Sequence, residues 1–418
     1  MMRRPIPWLL AAGVIAGPLS AAAQQVEVPD LPRNVTVAER PRPGFEPLGI
    51  RAGTFFIYPR VSVLTVYDSN VFARPHNVKD DIGVEISPRI VARSQWSRHA
   101  LSFSAGADAA FFADESGNNY VDADAELRGR LDVTRRSAFT GSLRIARRHE
   151  GREDPDDVGA KDVTIFYDGD LSLGYRQQFG RFFVQPRFRL RRRDFQDENG
   201  INQDDRDRNG YIGQLRAGVS VSPRVNAFIQ GRYDIVRYDE TPNDQGIDRD
   251  SNGWAVAGGV ELDFTGLLFG EISAGFTSRD FDDPSLNDPS GFSGLLEVTW
   301  NPTRLTSLIF TGEAGIAETT VSFEGEDASA RVFNSIGVEV IHELRRNILL
   351  HGRAAFERED FEGTKRTDNT FRAGLGIGYI VNRWLVVNAG YSFATRDSDN
   401  PNRDYLRHMV RLGVTLRR

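Results

Sequence analysis

The sequence predicts an all-β fold, a transmembrane up-and-down antiparallel β-barrel of about eighteen strands, with sixteen as the nearest alternative. Three observations carry that prediction. Segments of roughly ten residues alternate apolar and polar side chains, which is the length a tilted strand needs to cross a bilayer. Short turns alternate with long polar loops. The N-terminus has the make-up of an export signal.

Arg3 and Arg4 precede an apolar run, Trp8–Leu19, that is too short to span as a stable helix, and Ala21-Ala22-Ala23 offers a small-residue cleavage site. Residues 1–23 are therefore expected to be a signal peptide, taking the chain out of the cytoplasm of a Gram-negative cell. Residues 24–53 hold Pro29, Pro32, Pro41, Pro43 and Pro47 with scattered charge and no periodicity, the composition of an extended, poorly ordered periplasmic lead-in. Residues 54–418 are expected to form the barrel. Beyond the first 25 residues no stretch has eighteen consecutive apolar residues, so no transmembrane helix is expected.

The repeating unit is clearest in Thr370–Thr395. Phe371, Ala373, Leu375, Ile377 and Tyr379 share one parity against Arg372, Gly374, Gly376 and Gly378. After the turn at Asn382-Arg383, Leu385, Val387, Ala389, Tyr391 and Phe393 take one parity again. Each strand thus has an apolar face and a polar or very small one. Such hairpins recur every 40 residues or so from Phe55 onward, at roughly the period of a repeat fold. The short turns mostly carry Arg, as in Thr134-Arg135-Arg136-Ser137, Phe179-Gly180-Arg181-Phe182 and Leu344-Arg345-Arg346-Asn347. The long connections are rich in Asp, Asn, Gly and Pro, as in Glu150–Lys161, Asp194–Asn209 and Asp239–Asn252. Nine long loops and eight short turns join eighteen strands and leave both termini on the short-turn side. Propeller blades would need four short strands per repeat, whereas these units have two long ones.

Charge placement decides which face meets lipid. On Val121–Val133 the even positions are Asp122, Asp124, Glu126, Arg128, Arg130 and Asp132, while the odd ones are Val, Ala, Leu and Gly. On Phe182–Arg193 the ladder Arg187, Arg189, Arg191, Arg193 faces away from Phe182, Val184, Pro186, Phe188 and Leu190. Strand length, loop alternation and the export signal favour an inverted barrel, apolar outside, with a lumen wide enough to hold water. Aromatics near strand ends, among them Tyr58, Trp96, Tyr120, Tyr175, Trp254 and Trp384, are expected to form the interfacial belts.

The candidate site is the wall of that lumen. The Arg ladder, with Arg144, Arg216 and Arg232 on neighbouring strands, is set against Asp122, Asp124, Glu126, Asp168 and Asp170. Opposed basic and acidic walls would select polar solutes, and Arg would offer bidentate contacts to carboxylates. The simpler alternative is that these charges pair across strands and stabilise the wall. Chemistry beyond passage finds little support. The chain has no Cys, so no thiol nucleophile or Cys-based metal site is available. Its six His lack metal-ligand spacing, and no nucleophile elbow or phosphate loop occurs. The loops Asp205–Gly210 and Asp248–Gly253 match the first half of a calcium loop, but Arg216 and Gly259 stand where its bidentate Glu belongs. No enzyme activity, cofactor or metal is expected, and the net charge of -6 gives no argument for nucleic acid.

Tyr58-Pro59, Tyr67-Asp68-Ser69-Asn70-Val71-Phe72 and Ser94-Gln95-Trp96-Ser97-Arg98-His99 together resemble the β-barrel porin 2 family of outer-membrane proteins, over most of the chain from about Ile50. That resemblance implies an outer-membrane conduit for exopolysaccharide or capsule export, with periplasmic polysaccharide-export proteins as partners. A general or solute-selective porin and a structural or adhesive surface barrel are the alternatives. Outer-membrane lipid, lipopolysaccharide and the barrel-assembly machinery are expected partners in each case, although the final Leu416-Arg417-Arg418 lacks the usual terminal aromatic.

Overall fold

The computed structural model describes residues 34–264 and 266–418. The expected signal peptide and the first part of the lead-in lie outside the described residues.

Eighteen strands form the barrel: β1 (Phe55–Asp68), β2 (Asp81–Ser94), β3 (Ala100–Phe112), β4 (Tyr120–Thr134), β5 (Ser137–His149), β6 (Ile165–Phe179), β7 (Phe182–Phe195), β8 (Arg208–Ser222) and β9 (Val225–Tyr238) make the first half. The second half is β10 (Ser251–Phe264), β11 (Leu268–Phe281), β12 (Ser290–Thr303), β13 (Thr306–Glu318), β14 (Ala330–Arg345), β15 (Ile348–Phe361), β16 (Thr367–Ile380), β17 (Leu385–Ser398) and β18 (Tyr405–Arg417). Each pairs antiparallel with its chain neighbour, and β1 pairs with β18 from Arg60↔Arg417 to Asp68↔Met409, so no edge remains open. Eighteen strands and the nine-to-eight alternation of loops and turns are as the sequence predicts.

Parity also holds. Leu127, Leu131, Leu173, Phe188, Leu375 and Ile377 all point outward and are exposed, with Leu375 at 66%. An unbroken apolar exterior of this kind is stable only against lipid. Tyr58 and Tyr120 depart from the expected belts. Tyr58 is buried, and Tyr120 has the inward parity of Asp122 and stacks on His149 at 3.8 Å. Phe139 with Tyr175 and Trp254 with Phe276 do pair on the outside.

Asp and Asn close the bases of the long loops. The residue just before or at a strand start accepts the backbone N–H of the residue that ends the previous strand: Asn119 from Phe112, Asp207 from Phe195, Asp250 from Tyr238 and Asp404 from Ser398, at 2.6–2.8 Å. The calcium-like repeats owe their first-half pattern to this role, since Asp207 and Asp250 are spent as caps.

The Tyr67-Asp68-Ser69-Asn70 segment seals the barrel seam. Asp68, fully buried, accepts from Arg407 Nε and Nη2 at 2.9 and 2.5 Å. Ser69 exchanges bonds with His408, and Asn70 Nδ2 donates to Leu406 O. This stretch therefore staples the first strand to the last.

The described part of the lead-in, from residue 34 on, is more ordered than its proline content suggests. Val37–Glu39 forms a short 3-10 turn inside the short-turn mouth. Val37 and Ala38 pack on Ile341 and Leu349, and the Val37 N–H donates to Ser307 Oγ at 2.7 Å. Arg42 binds Glu343, and Arg417 Nη2 donates to Phe45 O at 2.9 Å. Two apolar residues suffice because the barrel supplies the rest of the pocket.

Candidate functional site

The inward parity of the strands and one long loop enclose a cavity of about 1430 Å³. The loop is the β5–β6 connection, residues 150–164. Its base closes by Glu150 N to Thr164 O, and it then turns inward over the lumen. Asp156 accepts from Thr319 Oγ1 and Thr320 N, beyond the end of β13. Glu153 accepts from Arg407 of β18 at 2.9 Å, and Asp157 O from Arg403 at 2.7 Å. In a ring of eighteen strands, only a segment crossing the mouth can touch β13 and β18 from the β5–β6 hairpin. Arg249, in the β9–β10 loop, is 2% exposed and donates to Thr319 O and Ala328 O, tying a second loop to the same place.

Charge holds the crossing loop down. Arg152 donates to Asn118 Oδ1, Ala160 O and Lys161 O, so one guanidinium fixes the loop's internal shape. Glu150 takes both Nη atoms of Arg206 at 2.5 and 3.1 Å. Burial pushes the Glu150 carboxyl up to about 7 against the pull of Arg206. Burial acts upward on Glu153 too, but Arg407 beside it wins and holds that carboxyl below the ordinary carboxylate range.

Most of the residues singled out from sequence line this cavity. Asp124 holds Arg89 of β2 with both oxygens, at 2.8 and 3.2 Å. Asp122 accepts from the backbone and ring of His149, and Glu126 from Arg128. Arg189 binds Asp170 at 2.5 Å, with Arg191 3.6 Å from the same carboxylate, and Arg193 binds Asp168 at 2.9 Å. Arg187 stands within electrostatic reach of Arg216, Glu271 and Arg189. Arg216 takes Glu271 with both Nη atoms at 2.9 Å and reaches Glu261 at 3.1 Å. Arg232 lies 3.2 Å from Asp234 of its own strand. Arg144 is half-buried, in register between Glu126 and Asp170, and makes no hydrogen bond or ion pair among the described residues.

The expected arrangement needs one correction. Asp122, Asp124, Glu126, Asp168 and Asp170 do not oppose the Arg ladder. They stand beside it, on β4 and β6 of the same wall, because hairpin neighbours must be barrel neighbours. Cross-strand pairing therefore accounts for most of them. The carboxylates that do face the ladder are Glu297, Glu313 and Glu318 of β12 and β13, with Glu313 in reach of Arg191 and Arg232. Sequence reasoning passed over them because they are sparse acids, one on β12 and two on β13, in otherwise apolar or small strands. For Glu297 and Glu313, isolation on the inward parity was the available signal.

Glycines set how close the wall's side chains lie. The Phe183 ring covers Gly218 so tightly that a Cβ there would sit 2.4 Å from it, and Phe228 covers Gly259 in the same way at 2.5 Å. Arg176 and Arg216 then stack on those rings at 3.9 Å. Gly374 makes room for Arg353, whose Nε would lie 3.0 Å from an added Cβ.

The family described as Putative beta-barrel porin 2 matches residues 42–418. Among solved structures, the chain is similar to OpdO of Pseudomonas aeruginosa, with 10% identity over 87% of this chain and 97% of that one, at a TM-score of 0.44. OpdL of the same organism shares 9% identity over 88% and 99%, at 0.43. The siderophore receptor PirA of Acinetobacter baumannii shares 7% over 86% and 80%, also at 0.43. No curated protein matches the sequence.

Proposed function

The chain belongs to the Putative beta-barrel porin 2 family, and from that membership we propose a channel that passes small polar solutes selectively, anionic ones above all. The chain is an outer-membrane β-barrel of porin type. One observation supports the selective reading. The segment 150–164 crosses the mouth and leaves a passage bounded by Arg144, the Arg ladder and facing carboxylates. A narrow, charged passage discriminates by size and sign. The short-turn rim and both barrel termini are read as periplasmic, and outer-membrane lipid and the barrel-assembly machinery as the partners every such barrel meets.

Exopolysaccharide export is the second reading. It is favoured by four arginines in file along β7, spaced about 7 Å apart, which suit a chain of repeated carboxylates. Planar-bilayer recordings test the first reading. Reversal potentials should show anion preference, and shortening residues 151–162 to a Gly-Gly link should raise conductance several-fold. Equal conductance before and after shortening removes the loop from the passage. A deletion strain that secretes polymer normally sinks the export reading.

A further inference from the structure

The outward face carries a groove that passage through the lumen does not use. Gly129 of β4 and Gly141 of β5 stand directly opposite each other in the ladder, both on the outward parity. Between them and the side chains of Leu101, Leu131, Phe139, Leu173 and Phe188 opens a cavity of about 650 Å³. Leu131, Phe139, Leu173 and Phe188 are all exposed. Toward the short-turn rim the groove ends at Trp96 and His99. Above it, three consecutive short turns carry Arg98, Arg135, Arg136 and Arg181, every one exposed. None of the eight short turns contains Asp or Glu, whereas the long loops hold most of the chain's unstructured acids.

We propose that this groove and the arginines above it bind one anionic phospholipid of the bilayer, with an acyl chain across Gly129 and Gly141 and the phosphate on Arg98, Arg135 and Arg136. The groove's walls are apolar, which suits hydrocarbon and not a polar solute. Six residues separate Gly129 from Arg135, about 20 Å of strand, which a long acyl chain can cover. Guanidinium groups hold phosphate through paired N–H donors. A second copy is a poor occupant. Two barrels in one membrane share an orientation, so their short-turn rims would bring like charges together.

The inference rests on the outward face meeting lipid, and the test separates the two. The full chain is reconstituted with phosphatidylglycerol or phosphatidylcholine, and retained lipid is counted by native mass spectrometry. One phosphatidylglycerol should be retained per barrel, several-fold above phosphatidylcholine. The triple variant Arg98→Gln, Arg135→Gln, Arg136→Gln should fall to the phosphatidylcholine level. Gly141→Leu should lower retention of both lipids. A control triple on distant short turns, Arg345→Gln, Arg346→Gln, Arg383→Gln, should retain lipid as the parent does. Heat-modifiable mobility on gels checks that each variant is a folded barrel. Equal loss in both triples, no loss in the first, or cross-links placing a second barrel over Leu131 overturns the proposal. Quenching of Trp96 by brominated acyl chains in those cases leaves the bilayer reading standing. Absence of any quenching overturns both.

Discussion

The two mouths of this barrel are narrowed by different mixtures of charge and apolar packing. At the long-loop mouth, residues 150–164 are held by ion pairs and by arginines bonded to backbone, as Glu150–Arg206, Glu153–Arg407 and Arg403–Asp157 show. At the short-turn mouth, Val37 and Ala38 sit in an apolar pocket of Ile341 and Leu349, and around it the Val37 N–H donates to Ser307 Oγ, Asn301 Nδ2 donates to Val35 O and Arg42 pairs with Glu343. The difference teaches how each obstruction can be released. A charged clamp depends on every partner being present and on protonation. The apolar contacts of Val37 and Ala38 are indifferent to both and yield to changes in shape or polarity.

The largest effect is expected from Arg407→Ala. It strips the cation from Asp68, whose side chain is 0% exposed, and from Glu153 at once. Leaving buried carboxylates unpaired costs about 3–5 kcal/mol, readable in urea unfolding from vesicles. The crossing loop should become cleavable by added protease. A variant as stable as the parent, with its loop still protected, would show that charge is not what holds this mouth.

Val37→Asp comes next. It forfeits about 1.5–3 kcal/mol of apolar burial at a site with 0% exposure, and should expel the lead-in without unfolding the barrel. Trypsin should then cut at Arg40 or Arg42, and an uncut segment would mean that the polar bonds dominate there after all.

The pH prediction separates the mouths more finely. Glu150 has a carboxyl raised from an ordinary 4.5 to about 7 when the loop is docked. A raised carboxyl binds its proton more tightly in the docked form. The contribution of Glu150 to docking is therefore complete below about 4.5 and is lost as pH rises through about 7. Conductance should be higher at pH 8 than at pH 5, and this difference should persist in Val37→Asp. A flat profile would remove Glu150 from control of the loop. The smallest effect belongs to Lys79→Ala, which breaks an exposed pair with Glu115 and should change stability by no more than about 0.5 kcal/mol.

What the sequence made legible follows from how local each pattern is. Strand parity and hairpin pairing are encoded within a few residues, so Leu375, Phe188 and Asp124 fall on the expected faces. Barrel closure was legible only in outline, since the bond of Asp68 to Arg407 spans nearly the whole chain. The crossing loop could not be read at all. It has no periodicity, and its partners Thr319 and Arg407 lie far away in sequence. The supposed facing acids went wrong for the same reason. Neighbours along the chain were taken for neighbours across the lumen, while Glu297 and Glu313 lacked company to mark them. Val37 and Ala38 were hidden among prolines, where two apolar residues carry no pattern.

The seat of Val37 also joins distant parts of the chain. The segment stands near the front of the chain, yet its pocket is made by Ser307, Ile341 and Leu349, and Phe45 is tied down by Arg417. The pocket needs β13, β14 and β15 to be paired, and the bond to Phe45 needs β18. The first described piece of the molecule therefore finds its partners only in the second half of the chain.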